Sequence, residues 1–441
     1  MGIRSETFNV LQVGIGFLLI LFAFNSQGFI EQTVIYGKHS EGVVSKHAGY
    51  ISPAIIYATF TCTNLLAASI IGVLGPKISM VIGACFYALF ECGFLFLNEP
   101  FLYISSALVG VAASMMWTAQ GKYLAMNSTE ETAGLHSGLF WGVSQICITG
   151  GGTFLYFAFR NLKEGDTIDD STIKLVYGIF AIITIVGVVI LALLRIPNQR
   201  VHTETEPKSE NNVEITFSQR INSTFSLLRT KRMLFLIFTS VYVGIDLSFW
   251  SGIYPSAISF TSKLATNTKI IMAFNAIAQG LGQTTGGFLF GILKETTKKL
   301  GRSRIILIGI SFHLLVYTGI YLNFPSNSPL GKTEDEGIIS PPSPVIAVVC
   351  GYFLGFGNAC WHTQIISLLI SRYNENSAEA FSLFKLFQGL ATATSFLYAT
   401  KLRMEFHILI LVLTGILGFT GFYMADRAPT TEKEKADHVN Q

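Results

Sequence analysis

The sequence predicts an all-α integral membrane protein with twelve transmembrane helices arranged as two six-helix bundles. Half of the 441 residues are hydrophobic and only 13% are charged, whereas about a quarter of the residues in an ordinary soluble domain are charged. The apolar residues come in blocks of about twenty, which is the length of helix that crosses a hydrocarbon layer about 30 Å thick. One long polar segment near the middle of the chain separates these blocks into two groups of six.

A large soluble helical protein is the main alternative, and it would need amphipathic helices with one polar face. Segments 178–194 and 408–422 have no such face. The first apolar block, at about 8–28, is longer than the core of a signal peptide, and no small-residue cleavage pattern follows it. We therefore expect this block to be an uncleaved first transmembrane helix.

Twelve apolar segments can be assigned along the chain. Their predicted spans are 8–29, 49–74, 78–97, 101–124, 134–159, 173–194, 233–256, 270–293, 305–324, 345–370, 381–399 and 406–424. The polar segment 195–232 carries seven Lys or Arg and four Glu, a composition typical of a solvated linker. The sequence thus predicts an N-terminal bundle at 1–194, a linker at 195–232, a C-terminal bundle at 233–424 and a tail at 425–441.

The distribution of positive charge predicts the orientation in the membrane. Nineteen of the thirty Lys and Arg residues fall on the side that holds both termini and the linker, ten fall on the opposite side, and Lys385 lies within a helix. Because loops rich in Lys and Arg stay in the cytoplasm, both termini are expected there. The sequence does not distinguish the plasma membrane from an internal membrane.

The two groups of six helices contain similar motifs at a nearly constant offset. Trp117 and Gln120 in the fourth segment match Trp361 and Gln364 in the tenth, both at an offset of 244 residues. Chance similarity between apolar segments is the simpler explanation of such matches. The alternative is an internal repeat, which places the functional cavity between two parallel halves.

Several short motifs resemble one known family. They are AIIY at 54–57, NL at 64–65, GPKISM at 75–80, WTAQGKYL at 117–124, and FW at 140–141 followed by Gln145. These motifs resemble those of the uncoordinated-93-like branch of the major facilitator superfamily, and the similarity covers nearly the whole chain. The resemblance implies the two-bundle fold of that superfamily. It also implies one of three roles: regulator of a potassium channel, trafficking partner of receptors, or solute carrier without a settled substrate.

The sequence departs from the superfamily in one loop. After the second helix, members usually carry a loop rich in Gly, Asp and Arg or Lys, whereas positions 72–77 read GVLGPK and contain no Asp. The departure argues against the usual cytoplasmic charge latch. It therefore favours a regulator over a carrier that alternates access between the two sides.

Ionisable residues inside the membrane are costly, so each one is a candidate functional group. Asp246 lies about 20 Å into the seventh helix, where it would hold a proton or cation, or else bond to a neighbouring helix. Lys385 lies about 8 Å into the eleventh helix and would bind a substrate or partner, or else reach the cytoplasmic surface. For Glu91 and His313 we expect structural roles.

Buried amides and tryptophans form a second set of candidates. Within several pairs the residues are three or four positions apart and therefore share a helix face. Including Asp246 and Lys385, the candidate cavity residues are Asn25, Gln27, Trp117, Gln120, Trp141, Gln145, Asp246, Asn358, Trp361, Gln364, Lys385 and Gln388. Lining of a central cavity and hydrogen bonding between helices both explain such amides.

No sequence motif of an enzyme, nucleotide site or metal site is present, so neither catalysis nor a cofactor or metal is expected. No basic stripe indicates nucleic acid binding. The expected partners are the lipid bilayer, a channel or receptor subunit, and a small solute. The sequence therefore predicts a regulator or accessory subunit of an ion channel or receptor, with a secondary carrier of a small organic solute or ion as the alternative.

Overall fold

Helices account for nearly all of the regular structure in this computed structural model. It describes residues 4–40, 42–45, 48–160, 170–196 and 217–428, and within these ranges the only β-type pairing is an isolated bridge between Thr261 and Thr333. The helices are α1 (Ser5–Ser40), α2 (Ala48–Asn64), α3 (Ala67–Leu74), α4 (Pro76–Gly93), α5 (Glu99–Met126), α6 (Ala133–Ser144), α7 (Ile146–Phe159), α8 (Asp170–Ala192), α9 (Phe217–Leu228), α10 (Lys231–Ser248), α11 (Tyr254–Phe260), α12 (Thr268–Ile292), α13 (Lys294–Leu300), α14 (Arg302–Asn323), α15 (Pro344–Arg372), α16 (Ser377–Ala399) and α17 (Met404–Arg427).

Each of the twelve predicted segments coincides with a helix or with a pair of consecutive helices. Eight helical spans within the described residues are long and apolar enough to cross a membrane, and α2 with α3, bent by 71°, makes a ninth. The other three segments are also helical: α6 and α7 are 12 and 14 residues long, each shorter than a membrane crossing, and α12 and α16 are long enough but less apolar. The all-helical membrane fold is therefore confirmed, whereas the count of twelve crossings stays a prediction.

Three of the predicted membrane segments are interrupted rather than straight. The second bends between α2 and α3, the fifth is divided at Gln145 between α6 and α7, and the seventh contains a π-helical turn, Phe249–Ile253, before α11. Pro255 lies at the start of α11, where a missing backbone N–H costs nothing. Such breaks are tolerated inside proteins because neighbouring helices satisfy the freed backbone groups.

A glycine in the left-handed backbone conformation precedes the helix of both the third and the ninth predicted segment. Gly75 (φ 78°) precedes α4, and Gly301 (φ 82°) precedes α14. Residues other than glycine rarely adopt this left-handed conformation. The two positions are in corresponding places of the two groups of helices, as an internal repeat would require.

We call α1–α8, which precede α9, the N-terminal half, and α10–α17, which follow it, the C-terminal half. Within the first half α5 packs on α2 and α4, and α8 packs on α1 and α4; within the second, α15 packs on α12 and α14, and α10 on α16 and α17. The halves meet where α12 lies against α6 and α7, where α15 lies against α6, and where α16 lies against α2 and α5. All four helices that carry the site described below contribute to this interface.

Part of the predicted linker is ordered against the helices. Residues 197–216 and the end of the tail, 429–441, lie outside the described residues. Helix α9 packs on α3 of the N-terminal half and on α16 of the C-terminal half. The linker therefore touches both halves at the predicted cytoplasmic end.

Candidate ligand site between the two halves

A cluster of aromatic rings and one lysine lies where the two halves meet. Trp117 of α5 and Trp141 of α6 have ring centroids 6.5 Å apart, and the ring of His362, on α15, stacks on Trp141 at 4.0 Å. The Nζ atom of Lys385, on α16, lies 4.6 Å from the centre of the Trp117 ring. The cluster thus takes two side chains from each half, and we call these four residues the central cluster.

Lys385 is deeply buried rather than directed to the membrane surface. The residue is only 9% exposed, and its Nζ atom donates a hydrogen bond of 2.9 Å to Oε1 of Gln388, one turn further along α16. No carboxylate among the described residues pairs with this ammonium group; its other close contacts are the rings of Trp117 and Phe384. The site therefore contains a buried lysine whose amino group contacts one amide oxygen and two aromatic faces.

The buried polar groups near the central cluster include two donors without acceptors. The Nε1 atom of Trp141 and the Nε2 atom of Gln120, one turn from Trp117, have no hydrogen-bonding partner among the described residues. Both side chains are almost fully buried. Because a buried donor that lacks an acceptor is unfavourable, these atoms are suited to bind a ligand.

Two further glutamines of the predicted set, Gln145 and Gln364, belong to helices of the interface between the halves. Gln145 lies at the break between α6 and α7 and donates a long hydrogen bond of 3.4 Å to Ser144.

Gln364 donates to Thr363 and lines a cavity of about 280 Å³ at the predicted cytoplasmic end. Arg302 also lines that cavity, but its guanidinium is already bonded to Ser367, Ser371 and Asp426.

Asp246 belongs to a different cluster, inside the C-terminal half. One carboxylate oxygen accepts a hydrogen bond of 3.0 Å from Tyr317 of α14, and the other accepts one of 2.7 Å from Asn358 of α15. Tyr317 in turn bonds to Tyr242, which bonds to His313. Both oxygens of Asp246 are thus satisfied by neighbouring helices.

Trp361 also packs in that second cluster rather than in the central one. Its ring centroid lies 4.8 Å from that of Tyr242, and the residue is 1% exposed. The structure therefore brings Trp117, Trp141, Lys385 and Gln388 together, and groups Asp246, Asn358 and Trp361 apart from them.

The first-helix candidates, Asn25 and Gln27, lie within the N-terminal half and make separate contacts from different faces of α1. Asn25 donates to the sulfur of Cys147, and Gln27 donates a hydrogen bond of 2.9 Å to Glu31. Glu31 is 5% exposed and lies beyond the apolar span Ser5–Gly28 of α1. Burial outweighs the hydrogen bonds from Gln27 and Ser52 and raises the pKa of Glu31 from its ordinary value of 4.5 to about 7.

Two buried groups were not among the predicted site residues. His362 directly follows Trp361, so on a helix it points about 100° away from it, toward Trp141. Glu31 follows Gln27 by four residues, and this spacing places both on one helix face. Within the described residues, no group of three or more His, Cys, Asp or Glu side chains is arranged to hold a metal ion.

The linker helix provides a charged contact between the halves. Arg220 of α9 lies against Gly72 of α3, and its Nη1 atom is 3.8 Å from Oε1 of Glu379 on α16. Nearby, Lys122 of α5 donates to the backbone oxygen of Glu375. These contacts lie beside the loop at 72–77 that has no Asp, and the charged contact at this end of the interface joins a cation of the linker to Glu379 of α16.

Comparison with known proteins agrees with the arrangement of helices. The sequence model of the family described as "Ion channel regulatory protein UNC-93" matches residues 40–423. The "UNC93-like protein MFSD11" of Xenopus laevis is 34% identical over 434 residues, covering 95% of each chain. The "Protein unc-93 homolog A" of Homo sapiens is 24% identical over 450 residues, covering 93% of this chain and 91% of the relative.

A solved structure supports the same fold. The major facilitator superfamily transporter FucP, in its outward conformation, superposes with a TM-score of 0.68 at 13% identity, covering 96% of this chain and all of FucP. The resemblance drawn from the motifs at 54–145 is confirmed. The chain is a multi-pass membrane protein with the major facilitator fold, and it belongs to the UNC-93 family.

Proposed function

We propose that this protein is a secondary carrier that moves a small solute by alternating access, with the central cluster as its binding site. The observation that carries the proposal is a buried polar site whose residues come from both halves. In such a fold, a site shared between the halves is exposed to one side or the other as the halves rock against each other. A site of this kind has little purpose in a protein whose halves never separate.

The contacts between the halves suit such a movement. At the predicted cytoplasmic end they include the partly exposed ion pair between Arg220 and Glu379, and the hydrogen bond from Ser382 of α16 to the backbone oxygen of Asn64. Ion pairs that water can reach contribute little, about 0–1 kcal/mol each. This ion pair therefore adds little resistance to separation of the halves, and the missing Asp after the second helix does not count against a carrier.

The proposal includes the arrangement in the membrane. The halves would cross it twelve times, with six crossings before the linker and six after it. The excess of Lys and Arg on one side supports cytoplasmic termini, and with them a cytoplasmic α9.

Labelling of one introduced cysteine tests alternating access without knowledge of the solute. Gln388→Cys would be made in a background in which the more accessible cysteines Cys62, Cys85 and Cys92 are replaced by serine. A membrane-impermeant maleimide should label it in both right-side-out and inside-out vesicles, because a carrier exposes its central site to each side in turn. Thr184→Cys, buried inside the N-terminal half, is the matched control and should be labelled from neither side. Labelling of Gln388→Cys from one side only, or from neither, would reject the carrier.

A regulator or accessory subunit of an ion channel is the second candidate. The family description favours it, and α8 offers a surface for a partner helix, with Leu175 and Ile182 each more than 60% exposed. A photo-reactive residue placed at Ile182 in native membranes tests this role. A discrete adduct containing a channel subunit would support the regulator, whereas adducts with lipid alone would speak against it.

A further inference from the structure

The charge at the central cluster is unusual for a protein interior. Buried charges in proteins are normally paired with an opposite charge, because an isolated ion loses its hydration without compensation. Lys385 has no such partner among the described residues, and the titratable side chain near it is another basic one, His362. The ammonium group uses one donor on Gln388 and has capacity for two more.

The uncharged polar groups around Lys385 are hydrogen-bond donors, as its amino group is. The free groups at Trp141 and Gln120 are N–H donors, and no carboxylate contacts the four residues of the central cluster within the part of the chain that is described. The carboxyl groups buried elsewhere in the protein belong to other clusters. A ligand that supplies acceptor oxygens and negative charge would complement the polarity of these groups.

From these contacts, and on the basis of the carrier proposed above, we infer that the central cluster binds a small organic anion. The carboxylate of this anion contacts Lys385, and its flat or apolar body lies against the rings of Trp117 and Trp141. Direct pairing of carboxylate and ammonium is a charge-assisted hydrogen bond, stronger than one between neutral groups. A cationic solute would be repelled by Lys385.

The test is a thermal-stability screen of the purified full chain with matched pairs of compounds. The carboxylates are benzoate, indole-3-acetate, lactate and succinate, and each is compared with its neutral amide. At least one carboxylate is expected to raise the unfolding temperature in a saturable way, with an apparent affinity at least ten times that of its amide. Equal stabilisation by acid and amide, stabilisation by cationic benzamidine instead, or no stabilisation by any of the four carboxylates would overturn the inference.

Three variants locate the effect. Lys385→Met should abolish the stabilisation by the carboxylate, and Lys385→Arg, which keeps the charge, should retain part of it. Lys401→Met, which removes an exposed lysine just beyond the end of α16, should behave as the parent. Undiminished stabilisation of Lys385→Met would overturn the inference.

The ligand-free unfolding temperature of Lys385→Met gives an independent readout. If Lys385 is an unpaired cation held for a ligand, the apolar variant should be at least as stable as the parent. A variant that is clearly less stable would show that Lys385 has a structural role, which would contradict the inference.

Failure of the anion site and failure of the proposed carrier give different results in these experiments. Carboxylate binding that depends on Lys385, together with labelling of Gln388→Cys from one side only, would establish an anion site in a protein that does not transport. Labelling from both sides with stabilisation by neutral solutes would leave the carrier intact and remove the anion.

Discussion

Glycines make a close contact between the two halves, and Gly138→Ala perturbs this contact directly. Gly138 of α6 faces Gly287 and Gly291 of α12. A Cβ atom at position 138 would lie 2.5 Å from the Cα and N atoms of Gly291 and 2.7 Å from the backbone oxygen of Gly287. Because these are backbone atoms, no side-chain rotation relieves the overlap, and the two helices must move apart.

The magnitude follows from this overlap. Ordinary van der Waals contacts begin at 3.4 Å, so α6 and α12 must separate by about 1 Å, and overpacking of this kind costs about 1–3 kcal/mol. Replacing glycine with alanine inside a helix returns about 0.5–1 kcal/mol. We therefore expect Gly138→Ala to lower the free energy of unfolding by about 1 kcal/mol, within a range of about 0–2.5 kcal/mol.

The same substitution one turn earlier is a matched control. At Gly134 the nearest atom to an added Cβ is the hydroxyl of Ser367 at 4.0 Å, so Gly134→Ala fits without movement. It should leave the protein unchanged or stabilise it by up to about 1 kcal/mol. Unfolding in mixed micelles of detergent and SDS, followed by circular dichroism, compares the two variants. Equal stability of Gly138→Ala and Gly134→Ala would refute the close contact between the halves.

Three further predictions follow from the buried charges. Because the pKa of Glu31 is raised from 4.5 to about 7, the folded protein should lose about 3 kcal/mol of stability as pH rises from 4.5 to 7. Glu31→Gln should flatten this pH dependence in thermal unfolding. An unchanged pH dependence in that variant would contradict the prediction. Asp246→Asn should lower the free energy of unfolding by about 1–3 kcal/mol, because the new amide N–H₂ group would face a hydrogen-bond donor where a carboxylate oxygen now accepts. A variant as stable as the parent in the same SDS titration would argue against a structural role. Arg220→Gln should speed amide hydrogen exchange in the first turns of α16 by freeing Glu379, and an unchanged rate would rule out a latch.

The sequence predicted the fold well because its strongest signals are local. The length of each apolar block and the position of the polar linker follow from the bilayer itself, and all twelve segments are helical. The count of crossings was harder to establish. Helices α12 and α16 pack against the opposite half and carry buried polar residues, such as Asn275 and Gln283 in α12 and Gln388 in α16, which lower their apolar character.

The candidate site could be predicted only in part. Trp117, Trp141, Lys385 and Gln388 were selected as polar or aromatic residues at membrane depth, and the structure brings them together. The spacing of residues along one helix does not determine which neighbouring helix each of its faces contacts.

Helix α15 shows this limit most clearly. It is buried on almost every side, so polar residues on two different faces look alike in the sequence. Asn358 and Trp361 face the cluster of Asp246, whereas the adjacent His362 faces Trp141. The partners Tyr317 and Tyr242 come from other helices, and only the tertiary packing selects them.

The measurement that tests the central claim most directly is counterflow of a radiolabelled carboxylate in proteoliposomes, using the compound that best stabilises the purified protein. Vesicles loaded with unlabelled carboxylate should transiently accumulate label when they contain the parent or Lys401→Met, and should not when they contain Lys385→Met. Accumulation by Lys385→Met at the parent's rate, or no accumulation by the parent, would contradict an anion carrier built around Lys385.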